Sequence, residues 1–252
     1  MARSLDGLMV QLRRFYWLLV LMVAMAAVVA IGCYGYSNNS SNSNNSRNSN
    51  HYPLHSLNLH EINISYNMSL TPTLKIPLGF TMPEFNLPDA ITNTLVSSDD
   101  IKGEKGTLVM FICNHCPYVL HVIHELIKVG YDYLPKGIGV VAINSNDVVN
   151  HPDDHPDRMK ELALSLKFPY PYLFDETQEV AKAYDAACTP DFNLFDVNGK
   201  CVYRGQLDSS RPGNDNPVTG KNLREALDLV LAGEEIPEDQ TPSTGCNIKW
   251  KV

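Results

Sequence analysis

The fold of this chain is decided by the stretch TLVMFICNHCPYVLHVI, which runs from Thr107 to Ile123. Its first six residues form an apolar run that predicts a buried central strand over residues 107–112. The pattern that follows the second cysteine predicts a helix from Pro117 to Tyr133, since proline is tolerated in a first helical turn. Two cysteines and a histidine, in the order C-N-H-C, therefore stand at a strand-to-helix turn.

The rest of the globular part alternates between strand-like and helix-like patterns. Asn198-Gly199 is a strong hairpin signal, and Asn222-Leu-Arg-Glu225 is a capping box that opens a helix ending at Gly233. The predicted elements are a strand at 138–144, helices at 156–167 and 176–187, and strands at 191–196 and 201–207. A helix separates the first two strands, which should be parallel, whereas the hairpin strands are antiparallel. This order predicts an α/β protein with the thioredoxin-like fold, a mixed central β-sheet flanked by helices.

The C-x-x-C turn has the chemistry of a redox dithiol. Free N–H groups and the helix dipole stabilise negative charge at a helix start, which favours a thiolate at Cys113. We expect Cys113 to be the more exposed thiol and to attack first, and Cys116 to resolve the mixed disulfide. His115 lies between them and can lower the thiolate pKa further. Placement between a buried strand and a helix makes this motif much more specific than C-x-x-C alone.

The stretches FICNHCPYV, INSND, PYLFDETQEVAKAYDAACTPDFNLFD, YRGQLDSSRPGN and GCNIKWK carry a family resemblance. From Phe80 to Lys251 the chain resembles the redoxin-domain, peroxiredoxin-like thioredoxin family proteins of the thioredoxin superfamily. The resemblance implies a thioredoxin-like fold and an antioxidant or oxidoreductase activity, and it supplies no substrate. In that fold a cis-proline faces the dithiol, and Pro190 stands at this place. A cis bond there would expose the Thr189 backbone to an extended substrate segment.

Three other interpretations of the motif stay open. The peroxiredoxin signature P-x-x-x-T-x-x-C fails for Cys113, where Gly106 and Met110 replace Pro and Thr, and it fails for Cys116 too. Peroxidase activity is therefore the weaker alternative. A copper- or zinc-binding metallochaperone could use the soft thiolates, but no histidine follows His155 to supply a distant ligand. A fixed structural disulfide would leave the histidine and the facing proline without a purpose.

Other residues are candidates for accessory roles. Cys188 lies two residues before Pro190 and either relays a disulfide or fills the core as a small apolar residue. Cys246, in the tail, could pair with Cys188 or act as an extra resolving thiol. Cys201 is expected in the core. Asn144 ends a strand at the edge that carries the dithiol and either lines the site or forms a turn. No bound cofactor and no metal are expected.

The N-terminal part has a different composition. Residues 15–32 carry no charge and are long enough to span a bilayer, and Arg3, Arg13 and Arg14 precede them. We predict a cytosolic N-terminus at 1–14, a transmembrane signal anchor at 15–36 and a disordered Asn/Ser-rich linker at 37–71. The thioredoxin-like domain should cover 72–233, and a C-terminal tail 234–252. A cleaved signal peptide, which would give a secreted protein, is the alternative.

These patterns together predict a single-pass membrane protein with its catalytic domain on the extracytoplasmic side. Its expected partners are protein or small-molecule disulfides and thiols, an unidentified electron donor or acceptor, and the membrane. The chain has 252 residues and a formal net charge of -8, with no basic stripe, so a nucleic-acid partner is not expected.

Overall fold

The structure is a computed structural model, and it describes residues 70–73 and 77–252. The predicted membrane anchor at 15–36, and the linker up to residue 69, lie outside the described residues. Within the described ranges, no helix has both the length and the apolar character needed to cross a bilayer.

A five-stranded mixed sheet forms the centre of the domain. Its strands, in spatial order, are β6 (Tyr172–Phe174), β5 (Ile138–Asn144), β4 (Gly106–Phe111), β8 (Asp191–Asp196) and β9 (Cys201–Tyr203). β4 is parallel to β5 and antiparallel to β8, and β8 and β9 are antiparallel. The predicted mixed sheet and its parallel and antiparallel pairs are therefore confirmed.

The helices pack around this sheet. They are α1 (Pro117–Tyr133), α2 (Pro156–Leu166), α3 (Glu179–Ala183) and α4 (Lys221–Ala232), with 3₁₀ turns at Leu134–Lys136 and Pro152–Asp154. The bounds predicted for α1 are confirmed. α3 is shorter than the predicted helix because Gln178 and Asp185, on either side of it, adopt positive φ angles. The predicted capping box is wrong, since α4 begins after Gly220, which is itself in the left-handed region.

Two short sheets complete the fold. β2 (Asn86–Pro88) pairs with β3 (Leu95–Ser97). β10 (Thr244–Asn247) lies between β1 (Leu70–Pro72) and β7 (Cys188–Thr189), antiparallel to both. The first two residues of β1 belong to the stretch predicted as linker, and β10 belongs to the predicted tail. Both segments are thus built into the sheet that contains Thr189.

The core has two halves, one on each face of the central sheet. Side chains alternate along β4, so Leu108 and Met110 enter one half while Val109 and Phe111 enter the other. Because β4 is buried on both faces, its carboxyl end is a fixed point in the molecule. The C-N-H-C turn begins two residues after that end, and both of its cysteines join the half that contains Met110.

Candidate active site

The dithiol turn joins β4 to α1. Cys116 is the N-cap of α1, with extended backbone angles, and Pro117 is the first helical residue. Cys113 is 1% exposed and Cys116 0%. We expected Cys113 to be the more exposed thiol, but the fold buries both sulfur atoms beneath neighbouring segments.

Thr189 and Pro190 face the two thiols. The peptide bond between them is cis, as expected at this position. Cys113 Sγ lies 3.3 Å from Thr189 Oγ1, and Cys116 Sγ lies 3.2 Å from the Thr189 carbonyl oxygen. The sequence-predicted residues Cys113, Cys116, Thr189 and Pro190 are therefore brought together at one point.

The chain's own C-terminal strand covers the Thr189 backbone. Cys246 of β10 stands opposite Thr189 in the antiparallel register. We expected an extended substrate segment to pair at this edge, and β10 occupies that place here. Gly245 makes the close approach possible, because a Cβ at this residue would lie 2.0 Å from the Thr189 carbonyl oxygen.

Cys246 meets the dithiol and not Cys188. Its Sγ lies 2.6 Å from Cys116 Sγ. The Cys188 thiol instead contacts Thr73 Oγ1 at 3.7 Å and the Pro190 carbonyl oxygen at 3.6 Å. No disulfide is present among the five cysteines of the described ranges. Of the two alternatives for Cys246, the structure thus places it beside Cys116, and Cys188 has the buried position of a small core residue.

The neighbouring thiols of the site shift one another's pKa values through hydrogen bonds. Hydrogen bonds, first with Cys113 and then with Cys246, lower the pKa of the Cys116 thiol well below its ordinary value. Burial, followed by the hydrogen bond with Cys116, raises the pKa of Cys113. Burial also raises the pKa of Cys188 to about 12, so that thiol stays protonated. The sequence predicts a lowered thiol pKa at Cys113, and the hydrogen bond between the two cysteines lets the pair hold a single thiolate.

His115 is held by a buried carboxylate that the sequence analysis missed. Asp154 Oδ2 lies 2.7 Å from His115 Nδ1, while Oδ1 accepts the Asn114 backbone N–H at 2.7 Å. The contact with Asp154 is the largest of the effects that raise the pKa of His115. The only sequence signal was the acidic, proline-punctuated entry to α2, where Asp154 lies 39 residues from His115, and nothing in that pattern connects it to the dithiol.

Asn144 supports this loop and contacts neither sulfur atom. Its Oδ1 accepts the Asn146 backbone N–H at 3.0 Å, and its Nδ2 donates to the Asp154 carbonyl oxygen at 3.3 Å. Asn146 Nδ2 in turn donates to Asp154 Oδ2 at 2.8 Å. Asn144 is therefore bonded to the loop that carries Asp154, the residue in contact with His115.

Three side chains of the site lie close enough together to hold a metal ion. Single ligand atoms of Cys113, His115 and Asp154 all lie within 4.8 Å of one another. However, Asp154 already accepts hydrogen bonds on both oxygens and contacts the His115 ring. A histidine whose pKa is raised is also a poorer ligand, since only the neutral ring binds a metal. These contacts favour Asp154 as the group that orients and charges His115.

We predict that Asp154→Asn lowers the pKa of His115, because it removes the carboxylate that favours the imidazolium. Because the pKa of His115 is higher in the folded protein than in the unfolded chain, the protonated ring stabilises the fold. This stabilisation is complete at pH below the unfolded pKa of about 6.5, and it is lost as the pH rises through the folded pKa. The difference in unfolding free energy between the wild type and Asp154→Asn should therefore shrink as the pH rises from about 6.5 through the folded pKa of His115. NMR titration of the His115 ring and denaturant unfolding across pH measure the two effects.

Asp157→Asn is the matched control for this prediction. Asp157 contacts His155 at 3.4 Å on the exposed surface, so its loss should leave both readouts nearly unchanged. An unchanged His115 titration in Asp154→Asn would contradict the assigned role of the carboxylate.

The chain has relatives among known proteins and solved structures. The family model described as Redoxin matches residues 77–223. The crystal structure of an uncharacterized conserved protein from Geobacillus kaustophilus is 55% identical, with a TM-score of 0.72 over 74% of this chain and 98% of that chain. A hypothetical protein from Sinorhizobium meliloti is 44% identical, with a TM-score of 0.71 over 72% of this chain and 99% of that chain.

A more distant structure confirms the fold. A thioredoxin-like protein solved in its oxidized form is 23% identical, with a TM-score of 0.51 over 64% of this chain and all of that chain. Among functionally curated proteins, none matches this sequence.

Proposed function

Because this chain belongs to the redoxin family and has a thioredoxin-like fold, we propose that it is a thiol–disulfide oxidoreductase that exchanges disulfides through Cys113 and Cys116. The observation that carries this proposal is the convergence of both thiols on Thr189 and cis-Pro190. Cys113 contacts the Thr189 hydroxyl, and Cys116 contacts its carbonyl oxygen. A purely structural pair of cysteines needs neither contact.

In the proposed reaction, Cys113 is the nucleophile. The two sulfur atoms share a hydrogen bond, and when its proton lies on Cys116 the thiolate is on Cys113. That thiolate attacks one sulfur of the substrate disulfide, and the second substrate sulfur leaves as a thiolate and takes up a proton. The product of this step is a mixed disulfide between Cys113 and the substrate.

Cys116 completes the exchange. After losing its proton to solvent, it attacks Cys113 Sγ, and the remaining substrate sulfur leaves and is protonated. The enzyme gains a Cys113–Cys116 disulfide, and the substrate gains two electrons and two protons. The same steps in reverse oxidise a dithiol substrate, and the reduction potential of the pair sets the direction.

His115 adjusts the charge of the pair. Paired with Asp154, the ring is biased toward its cationic form, and its interaction with Cys116 is mutually favourable when that sulfur is ionised. We assign His115 the role of lowering the cost of a thiolate, and Pro190 that of shaping the substrate-facing backbone.

The location and partners that we propose come from the sequence alone. Residues 15–36 would anchor the chain in a membrane, with the redox domain on the extracytoplasmic side. That side of a membrane permits disulfides to persist, which suits a dithiol enzyme. Its substrates would be protein or small-molecule disulfides or thiols, and a separate redox partner would recycle the pair.

Metal carriage is a second candidate, favoured by the spacing of Cys113, His115 and Asp154. It requires Asp154 to exchange its hydrogen bonds for a metal ion. Metal analysis of the purified protein separates the two functions: stoichiometric copper or zinc that is lost in Asp154→Asn would support carriage.

The proposed function is tested by measuring the reduction potential of the Cys113/Cys116 pair in glutathione buffers, using peptide mapping of the intact chain. We expect a reversible two-electron couple within the range of known catalysts, roughly -270 to -120 mV. Cys201→Ser should leave the couple unchanged, because Cys201 lies in the opposite half of the core. If no Cys113–Cys116 disulfide forms, the proposal fails. Rapid consumption of hydrogen peroxide with sulfenic acid on Cys113 would instead identify a peroxidase.

A further inference from the structure

Cys246 lies against the dithiol in the same buried region of the domain. The Cys246 side chain belongs to the same half of the core as Cys113 and Cys116, and the residue is 2% exposed. Its sulfur lies 2.6 Å from Cys116 Sγ, about half an ångström longer than a disulfide bond. A small side-chain movement is therefore enough to join these two sulfur atoms.

The strand that carries Cys246 is held from both sides. Cys246 pairs with Thr189 of β7 on one side and with Leu70 of β1 on the other. After the strand, the Lys249 backbone N–H donates to Asn146 Oδ1, and its carbonyl oxygen accepts from the Asp147 backbone N–H, each at 2.8 Å. These contacts fix Cys246 at the dithiol before any reaction, which is what a resolving thiol requires.

Cys116 has two neighbouring thiols with which it could form a disulfide. It interacts with Cys113 through one hydrogen bond and with Cys246 through another. The other two cysteines of the described ranges lack this access: Cys188 contacts Thr73, and Cys201 lies in the opposite half of the core. Cys246 is thus the third thiol that can exchange with the pair.

We propose that Cys246 is a second resolving thiol that takes over the disulfide by forming a Cys116–Cys246 bond. This inference rests on the proposed function. The Cys246 thiolate attacks Cys116 Sγ of the Cys113–Cys116 disulfide, the old bond breaks, and Cys113 leaves as a thiolate that takes up the proton lost by Cys246. The number of electrons on the protein does not change. A dithiol reductant later supplies the two electrons that open the Cys116–Cys246 bond.

This exchange separates the thiol that reacts with the substrate from the disulfide that is later reduced. Cys113 returns to the reduced state beside Thr189, while the disulfide moves onto the strand that covers the site.

The test is to trap the second disulfide in the full chain. Cys113→Ser is oxidised with glutathione disulfide and mapped by mass spectrometry without reduction, with Cys113→Ala as a second variant and thermal unfolding to verify folding. We expect Cys116–Cys246 to be the main intramolecular disulfide in both. Adding Cys188→Ser should leave it in place, and adding Cys246→Ser should abolish it.

A different mapping result for Cys113→Ser would overturn the proposal. If folded Cys113→Ser gives only glutathione adducts on Cys116, with Cys246 unmodified, the second resolving role is overturned. This outcome is separable from failure of the proposed function, because a Cys246→Ser chain still reports whether the Cys113–Cys116 disulfide forms reversibly.

Discussion

Cys116→Ser is expected to reduce steady-state disulfide reduction by roughly a thousandfold or more. The reason is that Cys116 sits at the centre of the site. It is hydrogen-bonded to Cys113, to Cys246 and to the Thr189 carbonyl oxygen, and it resolves the mixed disulfide in the proposed reaction. Serine keeps the size of the side chain almost unchanged but supplies a hydroxyl that neither ionises at neutral pH nor forms a disulfide.

The same variant should accumulate a mixed disulfide between Cys113 and the substrate, since the first attack can occur without resolution. A nonreducing gel with a protein disulfide substrate detects this species, and peptide mapping locates it. Cys201→Ser is the matched control, because Cys201 is a buried thiol whose nearest polar contact is the Tyr203 carbonyl oxygen at 3.6 Å. Activity of Cys116→Ser within tenfold of the wild type would contradict the central role of this sulfur.

Gly245→Ala is expected to detach the covering strand from Thr189. The added Cβ would lie 2.0 Å from the Thr189 carbonyl oxygen and 2.6 Å from its carbonyl carbon. Both are backbone atoms held against the dithiol, so β10 is the segment that must shift. A steric conflict of this kind costs about 2 kcal/mol, which corresponds to roughly a thirtyfold larger population of the open form.

Two readouts follow from that displacement. Alkylation of Cys113 by iodoacetamide should accelerate by roughly the same thirtyfold factor, because the site is buried while β10 is in place. The Cys116–Cys246 disulfide should form less readily, because Cys246 moves with its strand. Asn247→Ala is the control from the same strand, since it removes only a 2.8 Å contact with Lys249 Nζ. Unchanged alkylation in a folded Gly245→Ala protein would show that β10 does not limit access.

Local patterns predicted the part of the site that lies close together in the chain. The buried strand before Cys113 and the proline after Cys116 decide where the turn falls, and both signals lie within a few residues. Pro190 could be placed because the order of elements matches the thioredoxin-like fold, in which a cis-proline faces the dithiol. The helix over residues 176–187 was overestimated, since sequence periodicity does not show the positive φ at Gln178 and Asp185.

The remainder of the site depends on contacts between distant residues. Asp154 reaches His115 across 39 positions, and Cys246 reaches Cys116 across 130. β10 has only four residues and β7 only two, so neither is long enough to show the alternation of apolar and polar residues that marks a strand. The sequence offered Cys246 two partners, and only the tertiary arrangement could choose between them. Burial of Cys113 was missed for the same reason, because the covering strand comes from the tail.

The pairing of β1 with β10 has a mechanical consequence. Leu70 of β1 stands opposite Cys246 of β10, so backbone pairing joins the two strands. A pull on β1 at Leu70 is therefore transmitted first to the strand that holds Cys246 over Cys116. It reaches the redox centre before it reaches the central sheet.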